Sequence, residues 1–160
     1  MSEYRPLLLA AVALAFVGCN PFHRSGAVEL SDDVNLNTRW HGSMASPTTL
    51  AGVVEISGSA TMAPGGAART TDVTLDLGNA TPGGVHPWGL HRGQCDDDQG
   101  LVGQRSEYRA IEIDGDGRGS ASANIDLDTP MTGRYSVRVT ASAQNANRIV
   151  ACANLAPPSM

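Results

Sequence analysis

The chain has 160 residues, enough for one domain and not two, with 41% hydrophobic residues but only 4% aromatic. Its net charge of -5 and the absence of any basic run argue against a nucleic-acid partner. Eighteen glycines and nine prolines suit many short strands joined by tight turns, with a core of Val, Ile, Leu and Ala. All eleven cationic side chains are Arg, a bias for which the fold offers no reason.

Residues 1–19 read as a leader. Arg5 precedes an apolar run from Leu7 to Val17, and Val17-Gly18-Cys19 closes it with a small residue before a cysteine. Such a run has the length of a signal-peptide core and falls short of the ~20 residues a transmembrane helix needs. Cys19 resembles the lipid-acceptor cysteine of bacterial lipoproteins, which implies anchoring by lipid or by the leader in the cell envelope, on its periplasmic or extracellular face. Residues 20–33 form a polar tether, and a β domain is expected over 34–160.

Within that domain apolar residues recur at every second position over 50–57, 71–77, 108–113, 120–127, 135–140 and 149–155, the period of half-buried strands. Turn formers separate them: Ala63-Pro64-Gly65-Gly66, then residues 79–84, 114–119 and 128–133. Seven to eight short strands at this spacing predict an all-β Greek-key barrel or sandwich. No later segment has a helical period. The Trp40-His41 pair is expected in core or edge packing.

Cys95 and Cys152 are the cysteines left once Cys19 is assigned to lipid, and an even pair in an exported chain reads as a disulfide, two buried thiols being the alternative. The bridge would close a loop of about 57 residues, worth roughly 4 kcal/mol by chain entropy.

The acidic segments read as turns. Asp114-Gly115-Asp116-Gly117-Arg118-Gly119 lacks the glutamate that a calcium loop requires, so a hairpin turn is expected; Asp96-Asp97-Asp98 reads as a solvated loop. No G-x-S-x-G elbow or metal-protease helix is present, which removes the common hydrolases.

The stretch Val85-His86-Pro87-Trp88-Gly89-Leu90-His91-Arg92-Gly93-Gln94-Cys95, with the distal Ile149-Val150-Ala151-Cys152-Ala153-Asn154-Leu155, resembles the copper/zinc superoxide dismutase (SOD) superfamily, especially small exported bacterial SOD-like proteins. Leu50-Ala51-Gly52-Val53-Val54 and Gly133-Arg134-Tyr135 also fit, so the resemblance spans roughly residues 49–155. It implies a Greek-key β fold and a Cys95–Cys152 bridge.

The ligands of that family do not carry over. Its His-x-His copper pair stands here as Gly89-Leu90-His91, and His86 falls on its structural histidine. The copper histidine of the penultimate strand is replaced by Thr140, or by Val139 if the register slips by one. The zinc loop shrinks to residues 96–107 without histidine, and Arg148 stands one residue further than usual from the terminal cysteine if it is the counterpart of the catalytic arginine. Copper that cycles between two oxidation states needs several imidazoles, and the chain has four histidines, one of them His23 in the tether.

The expectation is therefore a pseudoenzyme with no catalytic residue and no resident copper or zinc. It would serve as a structural or protein-binding module, with a role as accessory subunit of a membrane protein complex. The alternative is copper or zinc binding through His91 with His86 or His41, or weak dismutation. Against that alternative, His86 and His91 are expected to bond backbone carbonyls.

Overall fold

A computed structural model describes residues 38–53 and 55–158. The leader, Cys19 and the tether with His23 lie outside the described residues. No described helix is long and apolar enough to cross a membrane.

The structure is all-β, as expected. Its strands are β1 Trp40–Ala45, β2 Ser57–Pro64, β3 Thr71–Gly78, β4 Val85–His86, β5 Trp88–Gln94, β6 Asp97–Leu101, β7 Ile111–Glu112, β8 Gly119–Ile125, β9 Tyr135–Thr140 and β10 Ile149–Leu155. Eight of them form one antiparallel sheet in the order β6-β5-β9-β10-β1-β2-β3-β8, curled into a half-barrel, while β4 pairs with β7. β1, β2 and β3 follow one another across the sheet, β8 lies beside β3, and β9 and β10 return between β5 and β1.

Alternation fills the interior. β3 buries Thr71, Val73, Leu75 and Leu77 on one face, and β8 pairs with it from Thr71↔Ile125 to Leu77↔Gly119. Two aromatic contacts brace the core: Trp40 edge-on to Tyr135 at 5.4 Å, and Trp88 edge-on to Tyr108 at 5.1 Å. The indole N–H groups donate to Pro130 O and Arg109 O, so neither buried donor is orphaned. Cys95, just past β5, and Cys152 in β10 are joined by a disulfide.

Three local expectations are corrected. Residues 50–57 are not a strand: Pro47 opens a 3₁₀ turn over Thr48–Leu50, and successive tight turns follow through Leu50 N–H to Pro47 O and Val53 N–H to Leu50 O. Gly52 takes φ +77°, and Val53 is 80% exposed. The strand lies later, at Ser57–Pro64, where its inward residues are Ala60 and Met62. The strand expected over 108–113 shortens to Ile111–Glu112, since a second 3₁₀ turn at Arg105–Glu107 leads into it and Tyr108 caps that turn.

Third, Asp96-Asp97-Asp98 is not simply a solvated loop. Asp97 and Asp98 open β6, which pairs back on β5 through Gly93↔Asp98 and Gln94↔Asp97. The turn at residues 114–119 is as expected: Asp114 Oδ1 accepts from the N–H groups of Asp116 and Arg118, an Asx-type cap inside the β7–β8 connection.

β9 departs from simple alternation, and this positions the site. Val137 and Val139 face the core, yet Ser136 and Arg138 on the opposite face are buried too. A strand buried on both faces must be covered on its outer side. Here the cover comes from β6, the turn at Arg105–Glu107, and the loop between β9 and β10.

Candidate functional site

The covered outer face holds a pocket of about 450 Å³, walled by Pro87, Trp88, His91, Asp98, Arg105 and Arg138, with Thr140, Asn147 and Ile149 closing its far side. Strand pairing explains the convergence. Gly89 and His91 share one face of β5, and their cross-strand partners on β9 are Arg138 and Ser136.

Asp98 is the hub. Its Oδ1 accepts from His91 Nδ1–H at 2.9 Å, and its Oδ2 meets Arg138 Nη1 at 2.9 Å. Because a carboxylate can only accept, His91 carries its proton on Nδ1 when neutral and leaves Nε2 as a lone pair. The Gly100 N–H also donates to Asp98 Oδ1, at 2.8 Å. Arg138, only 6% exposed, spends its other nitrogens on Gln94 O and Ser136 Oγ. The buried guanidinium is thereby bonded on every side, as such a charge must be.

These contacts set the protonation states. Burial lowers the His91 pKa below its ordinary value; Asp98 opposes this, and the charges of Arg138 and Arg105 add to the lowering. For Asp98, burial pushes upward, but the Gly100 N–H, His91 and Arg138 outweigh it and hold the carboxyl below its ordinary value. At neutral pH the cluster is an anionic Asp98, a neutral His91 and two guanidiniums.

His86 has a different task. Its Nδ1–H donates to Ala141 O at 3.0 Å and is shared with Thr140 O at 3.2 Å, tying β4 to the end of β9. Its Nε2 is buried without a partner, facing Gly84, and His86 is not part of the pocket wall. The carbonyl-bonding expectation therefore describes His86; for His91 it is corrected, because a carboxylate on the neighbouring strand takes its proton. His41 stands exposed on β1, paired through its backbone with Ala156.

Register separates the two positions that the resemblance sets against a copper histidine. Val139 is fully buried in the core, whereas Thr140 lines the pocket and donates its hydroxyl to Pro87 O. Arg148 does not reach this pocket. It lines a second, more open hollow of about 700 Å³ beside the Cys95–Cys152 bridge.

The residues present do not fit a copper or zinc centre. His91 is the one imidazole in the wall, Gly89 supplies no donor, Thr140 uses its hydroxyl on a carbonyl, and Asp98 is already shared by a cation and an imidazole. A metal ion would also stand beside two guanidiniums. Among the described residues, no group of three or more His, Cys, Asp or Glu side chains could hold a metal ion.

Sequence reasoning found His91 and missed Asp98 and Arg138. Arg138 sits in Ser-Val-Arg-Val-Thr, where alternation marks it as outward-facing and nothing signals that a loop covers it.

No family model matches this chain, and no curated protein matches it.

Proposed function

We propose that the chain is a non-catalytic, SOD-like module of the cell envelope, held at the membrane by a lipid on Cys19 or by its leader. In this reading it acts as a structural or protein-binding unit, an accessory subunit of a membrane protein complex. The observation that carries it is the Arg138–Asp98–His91 cluster. Where the resemblance implies imidazoles around a redox metal, a buried guanidinium and its carboxylate partner use up the available groups. Dismutation needs a centre that gains and loses an electron, and an arginine, a neutral histidine and an aspartate cannot do so.

The disulfide and the β fold supply the structural half of the reading. A 57-residue loop closed by a bridge stabilises a small domain in an oxidising compartment, which agrees with export. Membrane anchoring raises the local concentration of a displayed domain, so a modest interface suffices for assembly.

The test is a superoxide-dismutation assay on the purified chain after loading with copper and zinc, with His91→Ala alongside. The reading predicts no copper-dependent rate above that of free copper removed by chelator. A copper-dependent rate that disappears in His91→Ala would overturn it in favour of a weak dismutase. Recovery of the chain within a membrane assembly after mild solubilisation supports the accessory-subunit role, and recovery solely as free monomer contradicts it.

A further inference from the structure

The wall of the pocket over β5 and β9 has a charged part, Arg105, His91 and the Arg138–Asp98 pair, and an apolar part, Pro87, Ala143, Ala146 and Ile149. Asp98 is matched by Arg138 at 2.9 Å, so the unmatched charge in the wall is Arg105. Its Nη1 donates to Trp88 O at 3.0 Å, and among the described residues no carboxylate forms an ion pair with it. The pocket is thus locally positive in a chain whose net charge is -5.

Two groups of the charged part come together: a Cβ placed on Gly89 would lie 3.6 Å from Arg105 Nη1 and 3.7 Å from His91 Nε2, with Leu101 Cδ1 packed nearer the glycine at 2.5 Å. Asn147 adds an amide to the wall. A planar guanidinium with nitrogens to spare matches a carboxylate in two-point fashion, and the apolar wall suits a hydrocarbon body.

We propose that this pocket binds a small organic carboxylate, its anionic group on Arg105 beside His91 and its apolar body against Pro87 and Ile149. Such binding needs neither a metal nor a protein partner and goes beyond the module role. A bare inorganic anion would satisfy the charged groups alone and leave the apolar part of the wall wet. A neutral analogue would lose the guanidinium contact, the stronger of the two by its charge.

Calorimetric titration of the purified full chain with benzoate, benzamide and inorganic phosphate tests this. Benzoate is expected to saturate one site per chain, with benzamide and phosphate each at least about tenfold weaker. Arg105→Gln is expected to weaken benzoate by about tenfold or more. Ala146→Phe, which adds bulk to the apolar part of the wall and changes no charge, is expected to abolish binding; Ala146 is exposed on a loop, so this variant keeps the fold if Arg105→Gln does not. Absence of saturable benzoate binding overturns the proposal. So does equal affinity for phosphate or benzamide, or full affinity in Ala146→Phe.

Discussion

Gly89 on β5 and Arg138 on β9 are direct cross-strand partners, so the residue lacking a side chain stands opposite the longest buried cation of the sheet. On this face of the half-barrel, a strand position that the SOD resemblance assigns to a copper ligand supplies no donor, and Leu101 packs over it. The arginine opposite it is held by Asp98 of β6, on the other side of β5. Burial of a charge is tolerable only when it is paired and bonded, and the predictions below exploit that dependence.

Arg138→Met should destabilise the domain by about 2 kcal/mol, less than a fully buried pair would lose because Asp98 is 42% exposed and water can partly replace its partner. The Asp98→Asn/Arg138→Met double variant should lose less than the two single losses combined, because each single change leaves the other charge uncompensated. Urea melts on the four proteins measure this. Additive losses would mean that the pair is not coupled.

His91 links stability to pH with a definite sign. Burial depresses its pKa in the folded state below the ordinary 6.5, so between those two values the unfolded chain binds more protons than the folded one. Stability should therefore fall as pH drops below about 6.5 and level off once the folded His91 is also protonated. His91→Gln should flatten that part of the profile. In Arg138→Met, proton NMR should show His91 titrating at higher pH, because one of the cations opposing its protonation is gone.

A separate loss belongs to Asp98, whose carboxyl is held below its ordinary value of 3.8. Its contribution is present above that pH and disappears as the solution is acidified through the lower, folded value. Comparing acid unfolding of the parent with Asp98→Asn isolates it: the variant should start less stable at neutral pH and converge on the parent in acid.

Much of the fold is legible in the sequence, and the reasons for the gaps are physical. β9 and β10 coincide with the expected alternation at 135–140 and 149–155, and β3 and β8 nearly so, because apolar residues (Val, Leu, Ile, Ala or Tyr) recur at every second position along them. β2 escapes because its inward residues, Ala60 and Met62, sit among Ser, Gly and Thr. Leu50-Ala51-Gly52-Val53 imitates a strand although it bends away. β6 escapes because three consecutive aspartates look like solvent-exposed chain, although pairing with β5 turns Asp98 towards His91. Buried and solvated arginines share one pattern in a strand; what separates them at Arg138 is a covering layer built from residues distant in sequence.

Removing the bridge tests the other half of the expectation. Cys95→Ser/Cys152→Ser should lose roughly 4 kcal/mol, from the entropy regained by a loop of 57 residues when unfolded. The same chain under reducing conditions should match the variant. Equal stability with and without the bridge would contradict its structural role.

Placing an imidazole at Gly89 should not be easy. A Cβ on Gly89 would come within 2.5 Å of Leu101 Cδ1, so Gly89→His is expected to destabilise the domain by about 1–3 kcal/mol through overpacking. Leu101→Ala in the same chain should recover part of that loss. A Gly89→His chain as stable as the parent would show that the pocket has room for a histidine there.

Titration of Cu(II) into the purified chain, followed by electron paramagnetic resonance, addresses the central claim most directly. The Arg138–Asp98–His91 cluster predicts a spectrum unchanged between the parent and His91→Ala, with no stoichiometric copper signal showing imidazole nitrogen coupling. One tightly held copper per chain, with nitrogen hyperfine structure that vanishes in His91→Ala, would contradict it.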